Sequence, residues 1–204
     1  MEKLFPFDKE DYRSNLYDTS KSGKEETYLL DRKYDHISAY NLDEVAKDYS
    51  KDYRKGQTLS SCDAFYENKY HDCFVIEFKN TNHLAFRQFM DGLYRKLADS
   101  HMLLLEAFYR NKNAEALKKI IKVLIVYNDR LNAGSGIQSI HCDLNRMKPK
   151  KGNKNRHNTV QGYYENDEQF DRECENLKKK FQDIFYESIE FVEKKEFQDR
   201  ICQN

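Results

Sequence analysis

Apolar residues in this 204-residue chain are sparse at the start, alternate in one short region, recur every three to four residues in two long ones, and run together once. The alternation is in SSCDAFYENKYHDCFVIEFKN, residues 60–80. Two short strands are predicted there, near 59–66 and 73–79, joined by the polar ENKYHD turn. In the second, Phe74, Ile76 and Phe78 share one side and Cys73, Val75, Glu77 and Lys79 the other, because successive side chains on a strand point to opposite faces. The segment LAFRQFMDGLYRKLADSHMLLLEAFYR has its apolar residues at helical spacing through Phe86, Leu93, Leu97, Leu104 and Phe108. It predicts a long amphipathic helix over 84–108. Arg87–Asp91 and Arg95–Asp99 lie at the i,i+4 spacing that supports such a helix. KKIIKVLIVYND is nearly continuous in apolar residues, which predicts a strand at Val123–Tyr127 buried on both faces.

Before the strands, NLDEVAKDYSKDY predicts a helix with Asn41 as N-cap and Asp43 and Glu44 at the positive end of its dipole. Residues 1–40 lack periodicity and are expected to form an irregular polar arm, with one short element near Tyr28–Leu30. From Glu168 to about Ile201 the spacing of Phe170, Leu177, Phe181, Ile184, Phe185, Ile189 and Val192 predicts a long C-terminal helix. The order helix, strand, strand, helix, strand calls for a crossover: a hairpin cannot join parallel strands, but a helix can. The expected fold is therefore α/β, a mixed central sheet with flanking helices. It divides into an arm (1–40), a core (41–131), a basic loop region (132–166) and a C-terminal helical segment (167–204) packed on the core.

Composition narrows the function classes. Thirty-five basic residues balance thirty-five acidic ones, so any binding to nucleic acid needs a local patch. No apolar run approaches the length of a membrane span, and the first residues lack the apolar stretch of a signal peptide, which predicts no membrane partner. Five widely spaced cysteines without a CxxC pair fit reduced thiols and a cytoplasmic location. Six scattered histidines make no HxxxH or HExxH pattern, and GSG at 134–136 lacks the GK[ST] ending of a phosphate loop.

The charges inside the apolar strands carry the chemistry. Asp63, Glu77 and Lys79 interrupt segments that need none for packing. Two carboxylates converging in a sheet are expensive unless something positive sits between them, and a divalent cation with oxygen ligands answers that need. Lys79 on the same side can orient the attacking water and stabilise charge building on a phosphate. The simpler alternative is a salt-bridged strand on a solvated face.

Asp63 followed fourteen residues later by Glu77-Phe78-Lys79, with Cys62 at the position of the motif's proline, resembles the PD-(D/E)xK nuclease superfamily, over residues 41–128. These are the restriction-endonuclease-like and Holliday-junction-resolvase-like proteins. The resemblance implies a restriction-endonuclease-like core, Asp63 and Glu77 as ligands of Mg²⁺ or Mn²⁺, and Lys79 as the catalytic lysine. It further implies Glu44 as an additional acidic ligand and Gln88 as a polar residue of the site. Arg146, Lys148, Lys150, Lys151, Lys154 and Arg156 form a basic stretch suited to a DNA or RNA backbone, or else a solvated loop balanced by the acidic residues after Tyr164. The expected function is a metal-dependent nuclease hydrolysing phosphodiester bonds. The alternative is a non-catalytic protein-binding module on the same fold, such as an immunity or inhibitor protein of a bacterial toxin or other effector.

Overall fold

The structure, a computed structural model, describes residues 12–22, 27–53, 59–80, 90, 92–110, 121–128 and 171–202. In chain order these carry β1 (Arg13–Asn15), α1 (Leu16–Thr19), β2 (Lys21–Ser22), β3 (Thr27–Tyr28), β4 (Ser38–Asn41) and α2 (Leu42–Tyr53). Then come β5 (Ala64–Glu67), β6 (Cys73–Lys79), α3 (Leu93–Arg110), β7 (Ile121–Tyr127), α4 (171–181), β8 (Ser188–Glu193) and α5 (Lys194–Cys202). Six strands form one sheet in the order β1-β4-β5-β6-β7-β8, and β2 and β3 pair separately. The pairs from β1 to β6 are antiparallel, whereas β6–β7 and β7–β8 are parallel. The sheet is thus mixed, and α3 lies in the connection that returns the chain parallel to an earlier strand, as expected, that strand being β6.

Residue alternation along the strands sorts the core into two layers. On one face Val75, Val123, Ile125 and Ile189 pack with Leu42 and Val45 of α2, Leu93, Leu97 and Leu104 of α3, and Leu177 of α4. On the other, Ile76, Phe78, Leu124, Val126 and Val192 pack with Leu16 of α1, Leu29, Tyr34, and Phe197 and Ile201 of α5. Helices therefore cover both faces. β7 is buried on both sides because it has cores above and below, which is why its sequence is continuously apolar. Three of the cysteines, Cys62, Cys73 and Cys174, are free and buried, and burial raises their thiol pKa values, for Cys73 and Cys174 to about 12.

Two expectations are corrected. The described part of residues 1–40 is no irregular arm: β1 and β4 complete one edge of the main sheet, and Leu16, Leu29, Leu30 and Tyr34 fill the second core. These apolar residues are isolated in sequence because each short element contributes only one or two, so no period builds up. The C-terminal segment is not one long helix. α4 ends at Phe181, Asp183 has φ 62°, and Ser188–Glu193 enters the sheet parallel to β7 before α5 closes the chain. Ile189 and Phe191 face one core and Val192 the other, a period of two that a short apolar run shares with a helical stripe.

α3 begins at Leu93, directly after Gly92 at φ +70°, and the Lys96 N–H donates to the Gly92 carbonyl at 2.8 Å. That left-handed conformation is one glycine adopts without strain, and it sets the phase of the helix. The expected helical residues 84–89, including Phe86, lie outside the described residues.

Candidate functional site

The length difference between two paired strands creates the site. β5 pairs with β6 only from Ala64↔Ile76 to Glu67↔Cys73, whereas β6 runs three residues further, to Lys79. On the other side Glu77, Phe78 and Lys79 stay paired to Ile125, Val126 and Tyr127 of β7. The β5 side of that overhang is left to side chains. This is the carboxyl end of the parallel strands, where open α/β sheets place their ligands.

Asp63 stands at the turn into β5 and is held at three points. Its N–H donates to the Ile76 carbonyl (3.0 Å), its carbonyl accepts from the Leu42 N–H (3.2 Å), and its Oδ2 accepts the Phe78 N–H (2.6 Å). The carboxylate therefore supplies the acceptor that the missing β5 residue would have offered. The residues just before it are tied to both covering helices. The Cys62 N–H donates to Ser100 Oγ (2.7 Å), the Ser60 N–H to Asp99 Oδ2 (2.9 Å), and Ser61 Oγ to Asp43 Oδ1 (2.5 Å). Lys96, Asp99 and Ser100 lie one turn apart on α3 and face this segment together.

Four charged side chains meet in the overhang. Lys96 Nζ lies 2.9 Å from both Glu77 Oε1 and Oε2 and 3.4 Å from Asp63 Oδ1. Lys79 Nζ lies 3.2 Å from Glu77 Oε1. The Glu77 side chain is 1% exposed, Lys79 14%, Asp63 18% and Lys96 25%, so the cluster is buried at Glu77 and reaches solvent at Lys96. Burial, and then the neighbouring Glu77 carboxylate, push the Asp63 pKa up to about 8, against the pull of Lys96 and the Phe78 N–H. Burial works against the Lys96 charge, but the two carboxylates outweigh it and raise its pKa above the ordinary lysine value. The arrangement is an ammonium held between two acids, one of them nearly inaccessible to water.

The sequence-derived residues divide accordingly. Asp63, Glu77 and Lys79 come together on one side of the sheet. Glu44 does not join them: it is paired to Lys47 one turn along α2, with nearly half its side chain exposed, and its N–H caps onto Asn41. An acid of α2 that does act on the cluster is Asp43, held by Ser61 and contributing to the raised Asp63 pKa. Gln88 and the basic residues Arg146, Lys148, Lys150, Lys151, Lys154 and Arg156 lie outside the described residues. Lys96 was missed by sequence reasoning. Its sequence signal was that it follows Arg95, the solvent half of an i,i+4 pair with Asp99, and precedes the core residue Leu97, so it sits at the border of the apolar stripe.

Among the described residues no group of three or more His, Cys, Asp or Glu side chains is arranged to hold a metal ion. Two carboxylates do share one cation position, and two carboxylates with water and a substrate phosphate are the usual protein contribution to a Mg²⁺ site. The donor set fits Mg²⁺ or Mn²⁺ at that minimum. No helix among the described residues is long and apolar enough to cross a membrane. No protein-family model, curated protein or solved structure matches the chain.

Proposed function

We propose that the protein is a metal-dependent phosphodiesterase of the PD-(D/E)xK type acting on DNA or RNA, with Asp63 and Glu77 as cation ligands and Lys79 as the catalytic lysine. One observation carries this reading: the carboxylate of Glu77 on β6 and that of Asp63 at the turn into β5 converge on a single cation position, with the second lysine beside them. The topology supports it as well, since an antiparallel hairpin, a crossover helix and a parallel strand follow in the order of a restriction-endonuclease-like core.

Asp63 and Glu77 would hold the divalent cation, which when bound would supply Lewis acidity for hydrolysis of the phosphodiester. The residues do the rest. Glu77 is fixed by burial and cannot swing away with solvent. Asp63 is oriented by the Phe78 N–H. Lys79, drawn toward Glu77, stabilises the negative charge that grows on the phosphoryl oxygens as water adds to phosphorus and the bond to the leaving sugar oxygen breaks. Removing either Glu77 or Lys79 removes a role in the transition state more than a packing contact.

The test is cleavage of single- and double-stranded DNA and of RNA by the full chain with Mg²⁺ or Mn²⁺. Glu77→Gln and Lys79→Ala are expected to abolish cutting while circular dichroism stays native. Cutting that survives both substitutions, or excess chelator, would rule the mechanism out.

A second reading has its own observation. Lys96 already satisfies both acids, and apolar side chains stand exposed at Leu105, Ile184 and Phe185, the last packed on His101. A non-catalytic protein-binding module, an immunity or inhibitor protein facing a toxin or other effector in the cytoplasm, uses the same fold without chemistry. A folded protein inactive on every nucleic acid would favour it.

A further inference from the structure

We propose that Lys96 is a built-in counter-ion of the site, which a divalent cation displaces on binding. This rests on the reading of Asp63 and Glu77 as cation ligands and adds a role for a residue on a different element. Lys96 Nζ is equidistant from the two Glu77 oxygens, at 2.9 Å, and also within 3.4 Å of Asp63. It therefore stands where a cation touching both carboxylates must stand. Glu77 is 1% exposed and rests between two ammonium groups, Lys96 at 2.9 Å and Lys79 at 3.2 Å, so withdrawing Lys96 leaves a buried carboxylate less compensated unless another cation takes its place. Two cations carrying three positive charges between them do not share that position, because like charges at contact distance oppose each other.

The geometry also gives Lys96 a way out. Its side chain is 25% exposed, its charge ends a flexible four-carbon stem, and it springs from the solvent border of α3. Lys79 has no such freedom at 14% exposure, on the strand that carries Glu77 itself. The resting protein is thus stable without metal because Lys96 closes the site. Loading the site frees that ammonium at its mouth, on the side where a phosphate backbone approaches.

The experiment compares the full-length wild type with Lys96→Met by calorimetric Mn²⁺ titration and by melting followed with circular dichroism, at ionic strength held constant with KCl. Lys96→Met is expected to melt below wild type without divalent ions, to bind Mn²⁺ on the order of tenfold or more tightly than wild type, and to recover its melting temperature as Mn²⁺ is added. If the variant does not fold without metal, refolding on Mn²⁺ addition is the expected counterpart. Equal Mn²⁺ affinity in the two folded proteins would overturn the displacement while leaving the metal site standing. An unfolded variant that Mn²⁺ does not restore would also overturn it, and wild-type titration would then judge the site by itself. No Mn²⁺ binding to either folded protein would overturn both. Adding Asp63→Asn to Lys96→Met locates the ion: undiminished affinity there means that Mn²⁺ binds elsewhere, and the proposal falls.

Discussion

The two faces of β6 are built from one seven-residue strand and obey different physics. Toward α1 and α5 it presents Phe74, Ile76 and Phe78, with Phe78 edge-on to Phe197 at 5.8 Å between centroids. Toward α2 and α3 it presents Cys73 and Val75, then Glu77 and Lys79 where β5 has ended. The first face gains from every square ångström removed from water. The second spends part of its burial on charges that must satisfy one another, and such ion pairs are weak sources of stability. On the proposed reading, charge on one face of a strand whose other face is apolar serves the site more than the fold.

That comparison breaks at its strongest point with Ile76→Ala. The side chain is fully buried at the centre of the sheet, and the substitution is expected to lower stability in urea denaturation by about 2–5 kcal/mol. Glu77→Gln tests the other face and is expected to lower it less, by about 1–3 kcal/mol, because Lys96 can turn toward solvent when its partner loses charge. Combining Glu77→Gln with Lys96→Met should recover part of the loss, a coupling that a double-mutant cycle measures. If Glu77→Gln proved more damaging than Ile76→Ala, the charged face would be the structural one and the argument for use would fail.

A smaller effect lies at the far side of α3. His101 packs against the rings of Phe185 and Tyr186, and its buried Nδ1 has no hydrogen-bond partner among the described residues. Burial holds its pKa below the ordinary 6.5, so the folded state takes up this proton less readily than the unfolded one. Its contribution is fully present above the unfolded pKa and is lost as pH falls through that value toward the folded one. Melting temperatures from about pH 8 to about pH 5 should fall more steeply for wild type than for His101→Phe. The smallest effect belongs to the surface pair of Lys122 and Asp72, 3.2 Å apart at the open hairpin end of β6. Lys122→Met should change stability by less than about 1 kcal/mol, and less still in high salt.

How much of this was legible in the sequence follows the length of each pattern. β6 alternates over seven residues and β7 is apolar over most of its length, so their faces, and a return of β7 parallel to an earlier strand, were readable, while the choice of β6 as partner comes from the fold. Asn41 was readable as a cap because its oxygen takes the Asp43 and Glu44 amides, a purely local bond. β1, β4 and β8 were not readable. Their strands contribute few apolar side chains each, and only pairing with distant residues distinguishes them from loop or helix. In the site, Asp63, Glu77 and Lys79 stood out as charges in apolar strands. Lys96 did not, because on a helix rich in charge a lysine is ordinary until the tertiary fold shows what it touches. Glu44 and Asp43 are neighbours in sequence but about 100° apart around α2, and their difference in role is the helix phase, which Asn41 fixes.

The 2.6 Å bond from the Phe78 amide to Asp63 Oδ2 makes that one backbone proton an internal gauge of the cluster. Its amide resonance responds to whatever else pulls on the Asp63 carboxylate, whether ammonium, proton or metal, so a side-chain event at the mouth of the site is written into the ordinary backbone spectrum. Because Phe78 also packs on Phe197 through its ring, the same residue joins the charged end of the sheet to the hydrophobic layer beneath α5. The Asp63 carboxylate thus stands two contacts from Phe197 on the other face of the sheet, through the amide of Phe78 and then its ring.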